Sequence, residues 1–213
     1  MTSKIAIVAL GGNALARADE PATIANQFRH TRESLRTIVE LVRDGWSVAL
    51  VHGNGPQVGD DLARNEIALR EVEPLPLGVL VAATSGWIGY MIQQSLQNAL
   101  AREGLERDVV TLVTQTLVSE DDPALKATTK PIGHPLTDQR VVILRSAGEP
   151  VGKDGRGRWR RMTSSPRPLG IVEAKLVRRL VGEGVIVIAA GGGGPPVYRH
   201  PALGLEGLDG VVD

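Results

Sequence analysis

The sequence predicts an α/β protein with a mainly parallel sheet, and three short stretches carry that prediction. Each stretch is an unbroken apolar run, rich in β-branched residues, that stops at glycines, which is typical of a strand buried on both faces. The runs are residues 5–10, 47–51 and 185–190 of the 213-residue chain. We therefore expect three strands whose glycine-rich turns meet at one carboxyl edge, where phosphate-binding crevices form.

Composition and charge limit the partners that the chain can have. Hydrophobic residues make up 42% of the sequence and charged residues 23%, as in ordinary globular domains, and 24 Lys and Arg balance 24 Asp and Glu. A chain without net charge has no general attraction for nucleic acid or acidic lipid. The absence of cysteine excludes disulfides, and the residues after Met1 lack a signal-peptide pattern. We expect a cytoplasmic protein with no nucleic-acid and no membrane partner.

The stretches between the apolar runs show helical periodicity and are predicted to form helices. Apolar residues recur on one face over residues 21–44 and 169–183, and Pro56 suits the first turn of another helix. Residues 78–100 predict a long helix, or a helix with a break near Gly86. Its wide apolar face belongs either to the core or to a dimer interface. Residues 108–118 predict a further buried strand.

Residues 120–167 differ in character from the rest of the single predicted domain, which spans residues 1–213. This stretch is polar and has no helical periodicity, which favours a small protruding insert or lid. Within it, residues 141–144 and 159–162 predict a hairpin around a glycine-rich loop.

The glycine-rich turns do not match the standard phosphate-binding motifs. No Gly-x-x-x-x-Gly-Lys-Ser/Thr segment is present, and the turn at residues 53–59 misses the dinucleotide spacing by one residue. The four histidines are dispersed and cysteine is absent, so a zinc site is not expected. A single turn of this kind is as often structural as functional, whereas three at strand ends favour an anion site.

Five motifs occupy the strand ends and the insert. They are Ala9-Leu10-Gly11-Gly12-Asn13-Ala14-Leu15, Val51-His52-Gly53-Asn54-Gly55-Pro56-Gln57-Val58-Gly59, Thr129-Lys130-Pro131-Ile132-Gly133, Trp159-Arg160-Arg161 with Ser165-Pro166-Arg167-Pro168, and Ala189-Ala190-Gly191-Gly192-Gly193-Gly194 with Pro196-Val197. In this order they closely resemble carbamate kinase over essentially the whole chain. The resemblance implies the amino-acid-kinase fold, an αβα sandwich on a mainly parallel sheet. It also implies a cytoplasmic homodimer that uses Mg²⁺ in the reversible reaction of ATP with carbamate, usually in the arginine deiminase pathway.

The resemblance further implies roles for individual residues. Many members of the wider superfamily carry a lysine two positions before the first double glycine, where this chain has Ala9. In carbamate kinases, which this chain resembles, the lysine comes from the insert instead, and this implies Lys130 as the catalytic charge. The alternative is that Lys130 is a solvated loop lysine. The implied carbamate or carbamoyl phosphate site comprises Gly11, Gly12, Asn13, Gly53, Asn54, Gly55 and Arg161. The implied ATP or ADP site comprises Gly191, Gly192, Gly193, Gly194 and Asp213, and no residue is assigned as a metal ligand.

Several alternatives stay open at this point. Arg160 and Arg161, which follow Trp159 in the sequence, either reach an anion or only pack and face solvent. His52 is expected to be structural, because the oxygen of carbamate is already a nucleophile and needs no general base. Family members continue past the position of Asp213 with residues that hold the nucleotide, so we expect a fold that is incomplete at its carboxyl end. The alternatives to carbamate kinase activity are an inactive dimerising or anion-binding remnant, and a relative that phosphorylates another small carboxylate or phosphonate.

Overall fold

The computed structural model describes residues 4–17 and 20–212, which divide into two compact units. Unit 1 comprises the described residues of Met1–Gly53, Ser85–Thr114 and Val172–Gly192. Unit 2 comprises those of Asn54–Thr84, Gln115–Ile171 and Gly193–Asp213. No helix in the described ranges is long and apolar enough to cross a membrane.

Helices and strands alternate along most of the chain. In chain order they are β1 (Ile5–Leu10), α1 (Gly12–Leu15), α2 (Ile24–Ser34), α3 (Arg36–Arg43), β2 (Ser47–His52), α4 (Gly55–Ala68), α5 (Leu77–Arg102), β3 (Val109–Thr111), β4 (Thr116–Leu117), a 3₁₀ turn (Pro123–Lys126), β5 (Lys130–Ile132), α6 (Asp138–Ser146), β6 (Val151–Lys153), β7 (Trp159–Thr163), β8 (Gly170–Ile171), α7 (Ala174–Gly182), β9 (Ile186–Ala190), β10 (Pro196–His200) and β11 (Gly204–Gly207).

Unit 1 contains a four-stranded parallel sheet in the order β1-β2-β9-β3. The register places Leu10 beside His52 and His52 beside Ala190, so β1, β2 and β9 end at the same edge. Apolar side chains of the strands, such as Ile188, form one buried cluster with helical side chains, such as Ile92 of α5. The predicted α/β fold with a parallel sheet is confirmed, and its three glycine-ended strands are neighbours. The predicted burial on both faces is wrong for β1, which is an edge strand with Ile5 and Ile7 exposed.

Unit 2 contains two smaller sheets and a separate apolar cluster. One sheet has the order β11-β10-β4-β8, and the other is an antiparallel sheet in the order β5-β7-β6. The cluster joins Val58 and Leu62 of α4 to Leu80 and Val81 of α5. The whole of the predicted insert, residues 120–167, falls within this unit.

The predicted helices are present with shifted ends. Residues 21–44 form two successive helices, α2 and α3, and the hydroxyl of Thr23 caps α2 by accepting from the N–H of Asn26 (3.2 Å). α5 is continuous over the predicted 78–100 stretch, and α4 has Pro56 in its first turn. α7 begins only at Ala174, later than predicted.

Two predicted strands are wrong. Residues 141–144 lie in α6, whose N-cap Thr137 accepts a hydrogen bond from the N–H of Arg140 (3.3 Å), with Asp138 in the first turn. β7 therefore pairs with β5 and β6 rather than with residues 141–144. The predicted strand 108–118 is two strands, β3 and β4, which belong to different sheets.

Candidate functional site

The glycine turns after β1, β2 and β9 are tied together at the carboxyl edge of the parallel sheet. The N–H of Gly53 donates to the carbonyl of Leu10 (N···O 3.1 Å), and the N–H of Gly192 donates to the carbonyl of His52 (2.8 Å). These bonds extend the sheet ladder past the ends of the strands. The predicted convergence of the three turns is therefore confirmed.

Four glycines in the first two turns have no steric reason to be glycine. A Cβ on Gly11, Gly12 or Gly55 would meet no described atom within 4 Å, and one on Gly53 would make only an ordinary contact of 3.9 Å with the nitrogen of Gly12. The φ of Gly11 is −70°, which any residue adopts. The space above each of these backbones is open, so a ligand could approach the N–H groups of Gly11, Gly12 and Gly55 where a side chain would obstruct it.

The third turn is different, because the fold itself requires two of its glycines. Gly191 has a φ of +118°, and a Cβ there would lie 2.6 Å from the Cβ of Ser85 on α5. A Cβ on Gly193 would lie 2.6 Å from the Cβ of Val212. These packing constraints account for glycine at both positions without a ligand. The nucleotide-binding role of residues 191–194 stays a prediction.

α4 starts directly after the second turn, with Asn54 as its N-cap residue. The Asn54 side chain does not form the usual cap hydrogen bond to the first turn of the helix. Instead, its Nδ2 donates to Oγ1 of Thr84 on α5 (3.0 Å), and both residues are buried. The sequence gives no sign of this pair, because the two residues are 30 positions apart and no motif links them.

His52, at the end of β2, is held by its own backbone. Its ring is buried, and Nδ1 lies 3.1 Å from the carbonyl oxygen of Gly53, which can only accept a hydrogen bond. Burial lowers the pKa of His52, and the bond to Gly53 only partly opposes that effect. A neutral ring bound in this way supports the structural interpretation of His52.

Lys130 is the first residue of β5, where it is half-buried and pairs with Thr163 of β7. Gly133, just after β5, lies against α4, since a Cβ on Gly59 would lie 2.5 Å from the Cα of Gly133. This close approach fixes the strand that carries Lys130 against the helix that carries Gly55. The catalytic role of Lys130 stays a prediction.

Arg161 is held between two carboxylates. Its Nη1 lies 2.6 Å from Oε1 of Glu66 on α4, its Nη2 donates to Glu149, and its side chain is only 16% exposed. Glu66 also accepts from Arg140 of α6. Glu66, Arg140 and Arg161 thus join α4, α6 and β7, and no motif in the sequence marks their pairing. Substrate binding by Arg161 stays a prediction, and the ion pairs give the residue a structural role as well.

A cavity of about 430 Å³ lies beside this ion-pair network in unit 2. Glu66, Glu149 and Arg161 contribute charged groups to its wall, and Leu62 and Met162 contribute apolar surface. Both kinds of surface are available to a small polar molecule that enters the cavity.

Arg160 stabilises the turn between β6 and β7. Its guanidinium donates to the carbonyl of Gly133 and forms an ion pair with Asp154 (3.3 Å). Burial opposes ionisation of Asp154, but hydrogen bonds from Arg158 and Arg156 outweigh it and lower the pKa of Asp154 to about 2. Of the two alternatives left open for Arg160, the packing role is therefore the one that its contacts favour.

Two residues of the predicted site, Asp213 and Asn13, are not described in full. Asp213 lies outside the described residues, and for Asn13 the structure describes the backbone, which belongs to α1. Across residues 4–17 and 20–212, no group of three or more His, Cys, Asp or Glu side chains is arranged to hold a metal ion.

Comparisons with known proteins agree on one family. The model of the amino acid kinase family matches residues 4–205. A carbamate kinase of Pyrococcus horikoshii is 42% identical over 212 residues, which is 97% of this chain and 67% of that protein. A structure of carbamate kinase from Giardia lamblia bound to citric acid has a TM-score of 0.91 at 36% identity. The match covers 100% of this chain and 68% of the Giardia chain. The same enzyme bound to AMP-PNP has a TM-score of 0.88, also at 36% identity, and the match covers 100% of this chain and 67% of the Giardia chain. The chain thus spans about two thirds of the length of these relatives.

Proposed function

The chain belongs to the amino acid kinase family, and we propose that it catalyses the reversible transfer of a phosphoryl group between carbamoyl phosphate and ADP, giving carbamate and ATP. In this reaction the bond between phosphorus and the carbamate oxygen breaks, and a bond to the terminal oxygen of ADP forms. Relatives at about 40% identity carry the name carbamate kinase, which supports carbamate as the group that accepts the phosphoryl from ATP in the reverse direction.

The observation that carries the proposal is the open glycine backbone at the carboxyl edge of the parallel sheet. Phosphoryl transfer depends mainly on positioning and on neutralising charge, and it needs little covalent chemistry from the protein. Backbone N–H groups at Gly11, Gly12 and Gly55 are suited to both tasks, because no Cβ keeps an anion away from them. Gly53 contributes an open backbone, while its own N–H is bonded to Leu10. We assign carbamate and the transferred phosphoryl group to this backbone, with Asn13 and Asn54.

Lys130 supplies the full positive charge in this proposal. Backbone dipoles alone carry partial charges, and Ala9 stands where other family members place a lysine. Arg161 is assigned to the substrate anion. To bind it, Arg161 has to exchange one of its two carboxylate partners, Glu66 or Glu149, for the substrate.

The nucleotide is assigned to the turn at residues 191–194 and to Asp213. Mg²⁺ is proposed to arrive with the nucleotide phosphates, where it neutralises charge during transfer. The neighbour bound to AMP-PNP supports a nucleotide of this class.

We also propose a homodimer that acts in the cytoplasm in arginine breakdown. The exposed side of α5 carries Val79 and Tyr90, at 47% and 56% exposure, and it offers a candidate contact surface. Sedimentation at micromolar concentration tests the dimer, and a Tyr90→Glu variant should sediment as a monomer. A monomeric parent chain would contradict this assignment.

The direct test couples ATP formation to luciferase, with carbamoyl phosphate, ADP and Mg²⁺ as substrates. We expect ATP formation by the parent chain, loss of it in Lys130→Ala, and unchanged activity in Lys126→Ala, an exposed lysine on the preceding 3₁₀ turn. Calorimetry with carbamoyl phosphate separates this proposal from its alternative: binding without ATP formation would identify an anion-binding protein that does not transfer the group.

A further inference from the structure

We propose that Thr84 is a positioning residue, which holds the Asn54 amide in the orientation that the carbamoyl phosphate site needs. This inference rests on the proposed function, because it concerns the same site. Thr84 lies on α5, outside every motif, and it is fully buried. Its partner Asn54 is 6% exposed, so water competes little for the bond between them.

The hydroxyl of Thr84 determines which end of the Asn54 amide faces it. Oγ1 lies 2.8 Å from the carbonyl oxygen of Leu80 and 2.9 Å from that of Val81, so its one proton is donated back to the helix. The oxygen can then only accept, and Asn54 must present Nδ2 rather than Oδ1. One N–H of Nδ2 is used in this contact, and the second is available to another acceptor.

This orientation keeps the carbonyl oxygen of Asn54 off the first turn of α4. An asparagine at an N-cap normally turns its Oδ1 onto the N–H groups of that turn, and here it does not. The positive end of the 14-residue helix dipole is therefore not covered by its own cap side chain. An anion at Gly55 would otherwise compete with the Oδ1 of Asn54, and Thr84 removes that competitor.

The test measures binding of carbamoyl phosphate to the full chain by calorimetry. Thr84→Val keeps the shape of the side chain and removes the acceptor, and it should weaken binding by about ten- to a hundredfold, as expected for a lost hydrogen bond to a charged group. Thr84→Ser keeps the hydroxyl, and its affinity should stay within about threefold of the parent.

A double-mutant cycle separates positioning from a merely structural role. In an Asn54→Ala background the amide is already gone, so Thr84→Val should cause no further loss of affinity. A structural role would lower the melting temperature equally in both backgrounds and would leave the affinity unchanged. The NMR signals of the Asn54 side-chain NH₂ give a reading without ligand: they should exchange slowly in the parent chain and in Thr84→Ser, and rapidly in Thr84→Val.

The outcomes distinguish this inference from the function on which it rests. No binding of carbamoyl phosphate by the parent chain would refute the proposed function and the inference together. Binding by the parent with equal affinity in Thr84→Val would refute the inference alone. If Thr84→Val does not fold, Thr84→Ala makes the same comparison, and equal affinity in that variant has the same meaning.

Discussion

Replacing Gly191 by alanine should destabilise the protein far more than replacing Gly12 by alanine. At Gly191 the backbone has a φ of +118°, where a side chain costs about 1–3 kcal/mol. The new Cβ would also lie 2.6 Å from the Cβ of Ser85, which forces a shift that costs about 1–3 kcal/mol more. We expect the free energy of unfolding to fall by about 4 kcal/mol, and the melting temperature by about 8–16 °C for a chain of this size.

Gly12 is the matched control, because it lies near the same sheet edge without these constraints. No described atom lies within 4 Å of its Cβ position, and the residue is the first of the four-residue α1, where alanine is a better helix former than glycine. Gly12→Ala should therefore keep or slightly raise the melting temperature, while its Cβ weakens binding of carbamoyl phosphate. Thermal unfolding followed by circular dichroism measures both variants. A Gly191→Ala variant within about 1 kcal/mol of the parent would refute the reasoning, as would a comparable loss in Gly12→Ala.

Three further predictions concern charged groups. Lys130→Ala should lower the rate of ATP formation by about a hundred- to a thousandfold with little change in melting temperature; a decrease under about threefold would show that the charge comes from another residue. Glu66→Gln should lower the free energy of unfolding by about 2–3 kcal/mol, because it removes the carboxylate that pairs with Arg140 and one of the two carboxylates that hold Arg161. The exposed Glu33→Gln should cost under about 0.5 kcal/mol in the same urea titration. The pKa of Asp154 falls from 3.8 to about 2 on folding, so its contribution to stability is complete above about pH 4 and is lost as the pH falls through 2. Asp154→Asn should thus be less stable than the parent at pH 6, and the difference should shrink towards pH 2; a difference that does not depend on pH would contradict this.

The sequence predicted the sheet well because its strands carry a local signal. An unbroken β-branched run that ends at glycines favours a parallel strand, and residues 5–10, 47–51 and 185–190 all form one. The pattern does not distinguish a central strand from an edge strand, since β1 lies at the edge of its sheet and exposes Ile5 and Ile7. The run at residues 141–144 is apolar as well, but four residues are too few to separate a strand from a helix by periodicity. The better signals lay at the ends, where Thr137 precedes Asp138 as a helix cap and Gly148 follows the last turn.

The contacts of the candidate site depend on residues that are far apart in the chain. The sequence left open whether Arg161 reaches an anion or packs, and in the structure it pairs with Glu66, which lies 95 positions away. Thr84 was equally hidden, because a buried threonine in an apolar helix has no pattern that marks it as the partner of Asn54. Such pairings follow from how α4 packs against α5, α6 and β7, and local sequence does not specify that packing.

The packing around Gly191 and Gly193 has a consequence for recognising members of this family that have lost their activity. A gene released from selection for catalysis still needs a stable product, so glycine should persist at these two positions for as long as Ser85 and Val212 occupy theirs. Gly11, Gly12 and Gly55 have no such protection, and drift should change them first. A degenerate homologue would thus keep the conspicuous glycine run near residue 191 and lose the less noticeable glycines near residues 11 and 55. A search of new genomes for active kinases should therefore rely on the glycines near residues 11 and 55 rather than on the longer glycine run near residue 191.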